Sequence, residues 1–203
     1  MKSFRGLVAL FFILSVTLLK TQAQDYQDNS KAITTGALLG YMQSETNYLS
    51  GFGSGFNVGY QASFWKNRVR FNPNFSSMGF RTLWITDIPE QFFRNSALNL
   101  DLQLTIIRYK PISLFIGSGI LGSYTRGIIG TGGMDQTRTR SETFDFLRVG
   151  MPLIAGLRWA PLKSRFALQI TPINANIGLA KDLKSSDYVI GCVSARLEIH
   201  AKK

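Results

Sequence analysis

The chain has 203 residues, with 23 Lys and Arg against 12 Asp and Glu and a formal net charge of +11. Its single cysteine, Cys192, excludes a disulfide framework within the chain, and its single histidine, His200, leaves little for a metal site. The length suits one domain better than two.

The first residues have the pattern of a secretory signal peptide. Lys2 and Arg5 form a short basic region, and an apolar run follows at 7–19. That run is shorter than the roughly 20 residues of a membrane-spanning helix. Small residues then stand at the two positions that a signal peptidase reads, which predicts cleavage after Ala23 and export by the Sec route.

Alternation of apolar and polar residues marks the strands of the mature chain. Residues 98–106 place Leu or Ile at every even position and a polar residue at every odd one. A helix would spread these aliphatic residues around all its sides, whereas a strand gathers them on one face. The predicted strands are at 34–44, 54–65, 68–84, 97–109, 112–124, 144–159, 165–178 and 188–200.

The predicted connections alternate between long and short. The long ones are at 45–53, 85–96, 125–143 and 179–187, and the short ones are at 66–67, 110–111 and 160–164. This alternation and the even strand count predict an all-β fold, an eight-stranded antiparallel up-and-down transmembrane β-barrel with short periplasmic turns and long external loops. The predicted segments are a signal peptide at 1–23, an N-terminal periplasmic segment at 24–33 and the outer-membrane barrel at 34–203.

Strand interruptions and aromatic residues agree with a closed barrel. Bulges or kinks are expected at Pro73, Gly79, Pro152 and Pro172, which all lie within predicted strands. The apolar residues lie at even positions before Pro172 and at odd positions after it. One extra residue in a bulge would cause this switch. Aromatic residues near the strand ends suit interfacial girdles, namely Tyr41, Trp65, Trp84, Tyr124, Trp159, Phe166 and Tyr188.

Together, the signal peptide, alternation and loop lengths resemble small eight-stranded outer-membrane barrels of the OmpA and OmpX manner, more specifically the barrel proteins exported by Bacteroidetes-type bacteria. The resemblance includes segments 67–73 (Asn-Arg-Val-Arg-Phe-Asn-Pro) and 130–134 (Gly-Thr-Gly-Gly-Met), neither of which is a motif of known chemistry. Such barrels commonly end on an aromatic residue, whereas this chain ends on Ile-His-Ala-Lys-Lys. A soluble periplasmic lipid-carrying barrel therefore stays open as an alternative.

Alternation also directs charged side chains into the predicted lumen. The predicted lumen charge network consists of Asp101, Arg148, Arg158, Arg196 and Glu198. A lumen of eight strands is only wide enough to be filled by side chains. Since an unpaired buried charge is unfavourable, Asp101 and Glu198 are expected to pair with two of the arginines and to plug the lumen. The surplus of arginine leaves a narrow anion-preferring pore as an alternative.

The remaining charge is unevenly distributed. Without the three cations of the signal peptide, 20 basic and 12 acidic residues remain. Acidic and basic residues nearly balance in the predicted long loops. The excess of basic residues forms a rim at the short turns, which suits contact with anionic lipid headgroups rather than with nucleic acid. The rim residues are Lys66, Arg68, Arg70, Lys110, Lys163, Arg165, Lys202 and Lys203. External-loop contacts, with lipopolysaccharide phosphates as the expected partner, are assigned to Arg126, Asp135, Arg138 and Arg140.

No catalytic, cofactor or metal site is expected. His200 lies near the C-terminus, away from the long loops, and Cys192 is expected to be a small buried residue. Glycine-rich 127–133 lacks the Gly-Lys-Ser/Thr ending of a phosphate-binding loop. The sequence therefore favours a monomeric, non-enzymatic barrel with a structural or surface-interaction role. Its expected partners are membrane lipids, lipopolysaccharide and the barrel-assembly machinery.

Overall fold

The computed structural model describes residues 30–44, 49–82, 91–109, 111–131, 140–161, 164–179 and 186–201, except for the side chains of 130, 131, 140 and 141. The predicted signal peptide at 1–23 lies outside this part of the chain. No helix long and apolar enough to cross a membrane occurs among these residues.

Eight antiparallel strands pair in chain order and close into a barrel, because β8 pairs with β1. The strands are β1 (Lys31–Ser44), β2 (Leu49–Phe64), β3 (Val69–Arg81), β4 (Gln91–Tyr109), β5 (Ile112–Thr131), β6 (Arg140–Trp159), β7 (Phe166–Leu179) and β8 (Ser186–His200). Closure leaves no strand edge unpaired. The predicted all-β, eight-stranded antiparallel barrel is confirmed.

The two ends of the barrel differ in their connections. The turn end carries the short connections at 65–68, 110–111 and 160–165, together with residues 30 and 201. The loop end carries the connections at 45–48, 82–90, 132–139 and 180–185.

Several strands extend further toward the loop end than predicted. β2 begins at Leu49 instead of 54, β4 at Gln91 instead of 97, and β5 continues to Thr131 instead of 124. Ladder hydrogen bonds join backbone atoms and need no apolar side chain. The pairing therefore continues through glycine-rich and polar stretches, where the hydrophobic pattern has already faded.

A bulge in β7 explains the parity switch. Pairing with β8 runs from Thr171–Ser194 to Asn174–Cys192, so β7 contains one extra residue at this point. Pro172 and Ile173 both face outward as a result. The bulge expected after Pro172 is thus confirmed.

The other three expected interruptions are not bulges. The β3–β4 register runs unbroken past Pro73 and Gly79, and the β6–β7 register runs unbroken past Pro152. On their other sides, β3 pairs with β2 and β6 pairs with β5. Each of these two ladders omits two residue pairs at the proline, with no shift in register. Because proline lacks only the N–H donor, the barrel accommodates Pro73 and Pro152 by leaving out local pairing on one side.

The connection between β2 and β3 is a left-handed turn. Trp65, Lys66 and Asn67 have φ angles of 50°, 55° and 62°. Arg108 fixes the turn by donating to the carbonyl oxygens of Lys66 and Asn67 at 2.9 and 2.7 Å. Ser30 Oγ donates to Asn67 Oδ1 at 3.0 Å. A neighbouring strand and the start of β1 therefore stabilise a backbone conformation that side chains disfavour.

Candidate functional site

The turn-end half of the lumen is organised around the buried carboxylate of Glu198 on β8. Arg158 of β6 donates to it from Nε at 3.0 Å from Oε1 and from Nη2 at 2.7 Å from Oε2. Gln61 Nε2 donates to Oε2 at 3.3 Å, and His200 Nε2 lies 3.3 Å from the same oxygen. The structure thus joins two residues of the predicted lumen network, Arg158 and Glu198. Three side chains, Arg158, Gln61 and His200, thus contact this anion, and Arg70 lies 3.8 Å from it.

Arg70 is a lumen residue that the sequence alternation was not used to place. It was assigned to the basic rim, but its side chain is buried, with Nη1 3.8 Å from Glu198 Oε1. The guanidinium lies 4.8 Å from the centre of the Phe115 ring. Phe115 packs against Gly156, which has no side chain. A Cβ atom at position 156 would lie 2.9 Å from Phe115 Cζ, which is too close. The sequence does indicate this position of Arg70. Val69 and Phe71 on either side of it are apolar and face outward, so alternation along the strand directs Arg70 inward.

The middle of the lumen contains Asp101 in an amide network. Asn74 Nδ2 donates to Asp101 Oδ2 at 2.8 Å, and Asn99 Nδ2 donates to Asn74 Oδ1 at 3.1 Å. The expected direct pairing of Asp101 with an arginine is not found among the described residues. Arg196 is buried nearby, and the carboxylates of Asp101 and Glu198 attract it without direct contact.

A small cavity separates these groups. Its volume is about 20 Å³, and its lining includes Asn57, Asn74, Asn99, Asp101 and Arg196. A polar cavity of this size has room for about one water molecule.

Arg148 pairs with an acid that the sequence analysis had placed in an external loop. Its Nε donates to Asp187 Oδ2, and its guanidinium lies 4.9 Å from the centre of the Phe146 ring. Asp187 is the extra residue of a bulge in β8, opposite Gly178 and Leu179 of β7. The bulge turns both Asp187 and Tyr188 inward.

Tyr188 therefore does not belong to an interfacial girdle. It is buried in the lumen, and its hydroxyl is hydrogen-bonded to Ser123 Oγ. The other girdle residues that the structure describes lie on the outside or at the turn end, and Trp84 lies outside the described residues.

A cluster of buried apolar side chains, here called the apolar layer, lies in the loop-end half of the lumen. Its buried members are Leu38, Met42, Leu49, Met78, Phe80, Phe93, Tyr188, Ile190 and Cys192. Aromatic contacts continue across the barrel from β3 to β8, with Phe80 stacked on Phe93 at 5.1 Å and Phe146 at 6.5 Å from Tyr188. The sequence alternation places charged side chains in the lumen, and it does not predict this apolar layer. Cys192 is buried there, as predicted.

The predicted external-loop residues are only partly described. Arg126 lies on β5 rather than in a loop, is exposed on the outward face, and pairs in register with Arg94 of β4 and Asp145 of β6. Arg140 pairs in register with Thr131 at the start of β6, and its side chain is outside the described set. Asp135 and Arg138 lie outside the described residues.

Within the described part of the chain, no group of three or more His, Cys, Asp or Glu side chains is arranged to hold a metal ion. His200 contacts Arg158 at 3.1 Å as well as Glu198, so it is a member of the turn-end network. The five residues of the predicted lumen network all lie inside the barrel, but they do not form one network. Arg158 and Glu198 pair in the turn-end half, and Arg148 pairs with Asp187 in the loop-end half. Asp101 and Arg196 lie between these two pairs, around the small cavity.

Comparison with known proteins supports the fold. No protein-family model matches the sequence, and no curated protein matches it. The solved structure of Neisserial surface protein A is similar, with a TM-score of 0.55 and 15% identity over 83% of this chain and 96% of that one. Ail, the attachment invasion locus protein of Yersinia pestis, solved with the heparin analogue sucrose octasulfate, has a TM-score of 0.51 and 17% identity over 86% of this chain and all (100%) of that one. Both are eight-stranded outer-membrane β-barrels. At these identities, the similarity concerns the fold.

Proposed function

We propose that the protein is an integral outer-membrane β-barrel with a structural or surface-interaction role and a plugged lumen. The observation that carries this proposal is the polarity of the barrel wall. Large apolar side chains are exposed on the outward face of every strand, for example Leu98 at 59%, Leu102 at 55% and Leu147 at 70%. Exposed apolar surface on this scale is unfavourable in water and matches a lipid environment.

The height of the apolar surface fits a bilayer. On β4 the outward residues are apolar from Leu98 to Tyr109. Eleven steps of about 3.3 Å at a tilt of about 40° span about 28 Å, close to the apolar band of outer-membrane barrels. Exposed aromatic residues lie at its turn-end edge, including Trp65, Tyr109 and Trp159. A soluble lipid-carrying barrel would instead present a polar outer face.

Two layers support the plugged lumen. The turn-end half contains the ion pairs around Glu198, and the loop-end half contains the apolar layer around Phe80 and Phe93. An ion that crosses the barrel has to displace both. A narrow anion-preferring pore is the second candidate. It is favoured by three buried arginines, Arg70, Arg158 and Arg196, against two buried carboxylates, Asp101 and Glu198, in the turn-end half and the middle of the lumen.

Further parts of the proposal rest on the sequence. We place the protein among the barrel proteins of Bacteroidetes-type bacteria, exported by the Sec route and assembled as a monomer by the barrel-assembly machinery. Its partners in this proposal are membrane lipids, including lipopolysaccharide, and it has no enzymatic activity.

Cell fractionation followed by gel electrophoresis of boiled and unboiled membrane fractions tests the location and the barrel together. We expect recovery in the outer-membrane fraction and faster migration before boiling, because a closed barrel stays compact in detergent. Recovery only in the soluble periplasm would contradict the proposal. Planar-bilayer recording tests the plug, for which the expected result is no channel steps. Reproducible anion-selective steps would replace the plugged barrel with the pore.

A further inference from the structure

Arg70 is a buried cation whose hydrogen-bond donors are unused. Its side chain is buried in the lumen, and Nε, Nη1 and Nη2 all lack a hydrogen-bond partner among the residues that the structure describes. The guanidinium lies over the Phe115 ring. A ring in this position interacts with the positive charge, but it leaves the N–H donors in the guanidinium plane without acceptors. Because buried donors without acceptors are unfavourable, this position favours a further acceptor.

Glu198 does not supply that acceptor. Its Oε1 accepts from Arg158 Nε at 3.0 Å, and its Oε2 accepts from Arg158 Nη2 at 2.7 Å and from Gln61 Nε2 at 3.3 Å. The nearest nitrogen of Arg70 is Nη1, which stays 3.8 Å from Oε1. This distance is too long for a hydrogen bond. Glu198 therefore attracts the charge of Arg70 but leaves its donors unused.

This part of the lumen has more arginines than carboxylates. Among the described side chains, Arg70, Arg158 and Arg196 are buried in the turn-end half and the middle together with Asp101 and Glu198. Glu198 pairs with Arg158, and Asp101 attracts Arg196, with which it lines the small cavity. Arg158 and Arg196 also repel the charge of Arg70. Arg70 is therefore the excess cation, and a buried charge without a counterion is unfavourable.

Two amide side chains lie beside Arg70. Gln103 of β4 pairs in register with Arg70, and Asn72 follows Arg70 by two residues on the same inward face. Both are buried, and within the described part of the chain neither Gln103 Nε2 nor Asn72 Nδ2 has a hydrogen-bond partner. The Cβ atoms of directly opposite residues are about 5 Å apart. Donors from all three side chains are therefore within reach of one small acceptor between them.

We propose that a single chloride ion binds in the lumen between Arg70, Asn72 and Gln103. Chloride accepts hydrogen bonds and donates none, so it matches a guanidinium edge and two amide N–H groups. Its charge balances the excess cation, whereas a water molecule would leave that charge uncompensated. The enclosed position favours a monatomic anion over phosphate or sulfate. The site goes beyond the proposed function, because it concerns what the plugged lumen contains.

Urea unfolding of the refolded full-length barrel in phosphatidylcholine vesicles tests the site, with sodium chloride replacing sodium gluconate at constant ionic strength. Gluconate is too large for an enclosed site of this kind. For the parent protein, we expect the ratio of folded to unfolded barrel to rise about tenfold for each tenfold increase in chloride above its Kd. Arg70→Met should remove this dependence. Arg165→Met, which removes an exposed arginine at the turn end, is the matched control and should retain it.

A second variant and a crystallographic measurement apply even if Arg70→Met does not fold. Gln103→Met retains the cation but loses one amide donor, so it should need a higher chloride concentration for the same stabilisation. Crystals of the parent barrel soaked in sodium bromide should show an anomalous scattering peak in the lumen beside Arg70 and Gln103.

Three results would overturn the inference. They are equal stability of the parent protein in chloride and gluconate, an equal chloride dependence in the parent and Gln103→Met, and bromide peaks confined to the outer surface. Planar-bilayer recording in the chloride buffer separates the site from the proposed function. Chloride-dependent stability that is lost in Arg70→Met supports the site even if channel steps appear, whereas the channel steps themselves would contradict only the plug.

Discussion

Arg158 binds Glu198 through both carboxylate oxygens, from strands that are not neighbours in the barrel. Its Nε lies 3.0 Å from Oε1 and 2.9 Å from Oε2, and its Nη2 lies 2.7 Å from Oε2. β6 and β8 are separated by β7, so this pair joins two strands that no backbone ladder connects. The pair therefore stabilises the barrel in a way that backbone pairing does not.

Neutralising Glu198 should destabilise the barrel strongly. Glu198→Gln leaves Arg158 and Arg70 buried without their anion, and breaking a buried pair in this way is unfavourable by about 3–5 kcal/mol. Urea unfolding of the barrel refolded in phosphatidylcholine vesicles, followed by tryptophan fluorescence, measures the change. Glu142→Gln on the exposed part of β6 is the matched control and should change stability by less than about 0.5 kcal/mol. Equal stabilities of the two variants would mean that the pair contributes nothing.

The Arg148–Asp187 pair should couple energetically. A double-mutant cycle with Arg148→Gln and Asp187→Asn should give an interaction energy of about 1–3 kcal/mol, because the two side chains are in contact inside the wall. The same cycle with Asp145→Asn in place of Asp187→Asn is the control, since Asp145 is exposed on the outward face and the Arg148 side chain is largely buried. That cycle should be additive within about 0.5 kcal/mol. Additivity in both cycles would contradict the pairing.

Sequence periodicity predicted the strand count, the closure and most of the lumen-facing charges. It was effective where one face of a strand is apolar and the other polar, as in β4 from Leu98 onward. The interior at the loop end was missed because consecutive residues are apolar there, as in Leu38-Leu39 and Phe92-Phe93. Such stretches have no period of two, so they do not indicate which residue faces inward.

The partner of Arg148 was beyond the reach of periodicity for a different reason. Asp187 turns inward only because of a bulge, and the position of a bulge depends on the register between β7 and β8. Register depends on contacts between strands rather than on the pattern within one strand. Arg70 differs from both, because the alternation of Val69, Arg70 and Phe71 indicates an inward Arg70 even beside a turn.

The left-handed turn between β2 and β3 predicts a stabilising substitution. Lys66 has a φ angle of 55°, a conformation that is unfavourable for side chains other than glycine by about 1–2 kcal/mol. Lys66→Gly should therefore raise the free energy of unfolding by up to about 1 kcal/mol, with part of the gain offset by the more flexible unfolded chain. Lys31→Gly, an exposed lysine within β1, is the control and should destabilise. Urea unfolding of both variants measures these changes. A lower free energy of unfolding for Lys66→Gly than for the parent protein would contradict the prediction.

Polar substitutions in the apolar layer should open the lumen to ions. Phe80 and Phe93 stack at 5.1 Å among other apolar side chains, and an apolar constriction resists wetting. In F80S/F93S the layer loses both rings, water can enter the loop-end half, and the inward arginines below should then favour anions. We expect anion-selective steps in planar bilayers for this variant and none for the parent protein. F52S/F56S, which removes two exposed outward rings, is the control and should remain silent. A silent F80S/F93S barrel that keeps its heat-modified mobility would show that the charged half alone closes the lumen, because the apolar layer would then be dispensable for the plug.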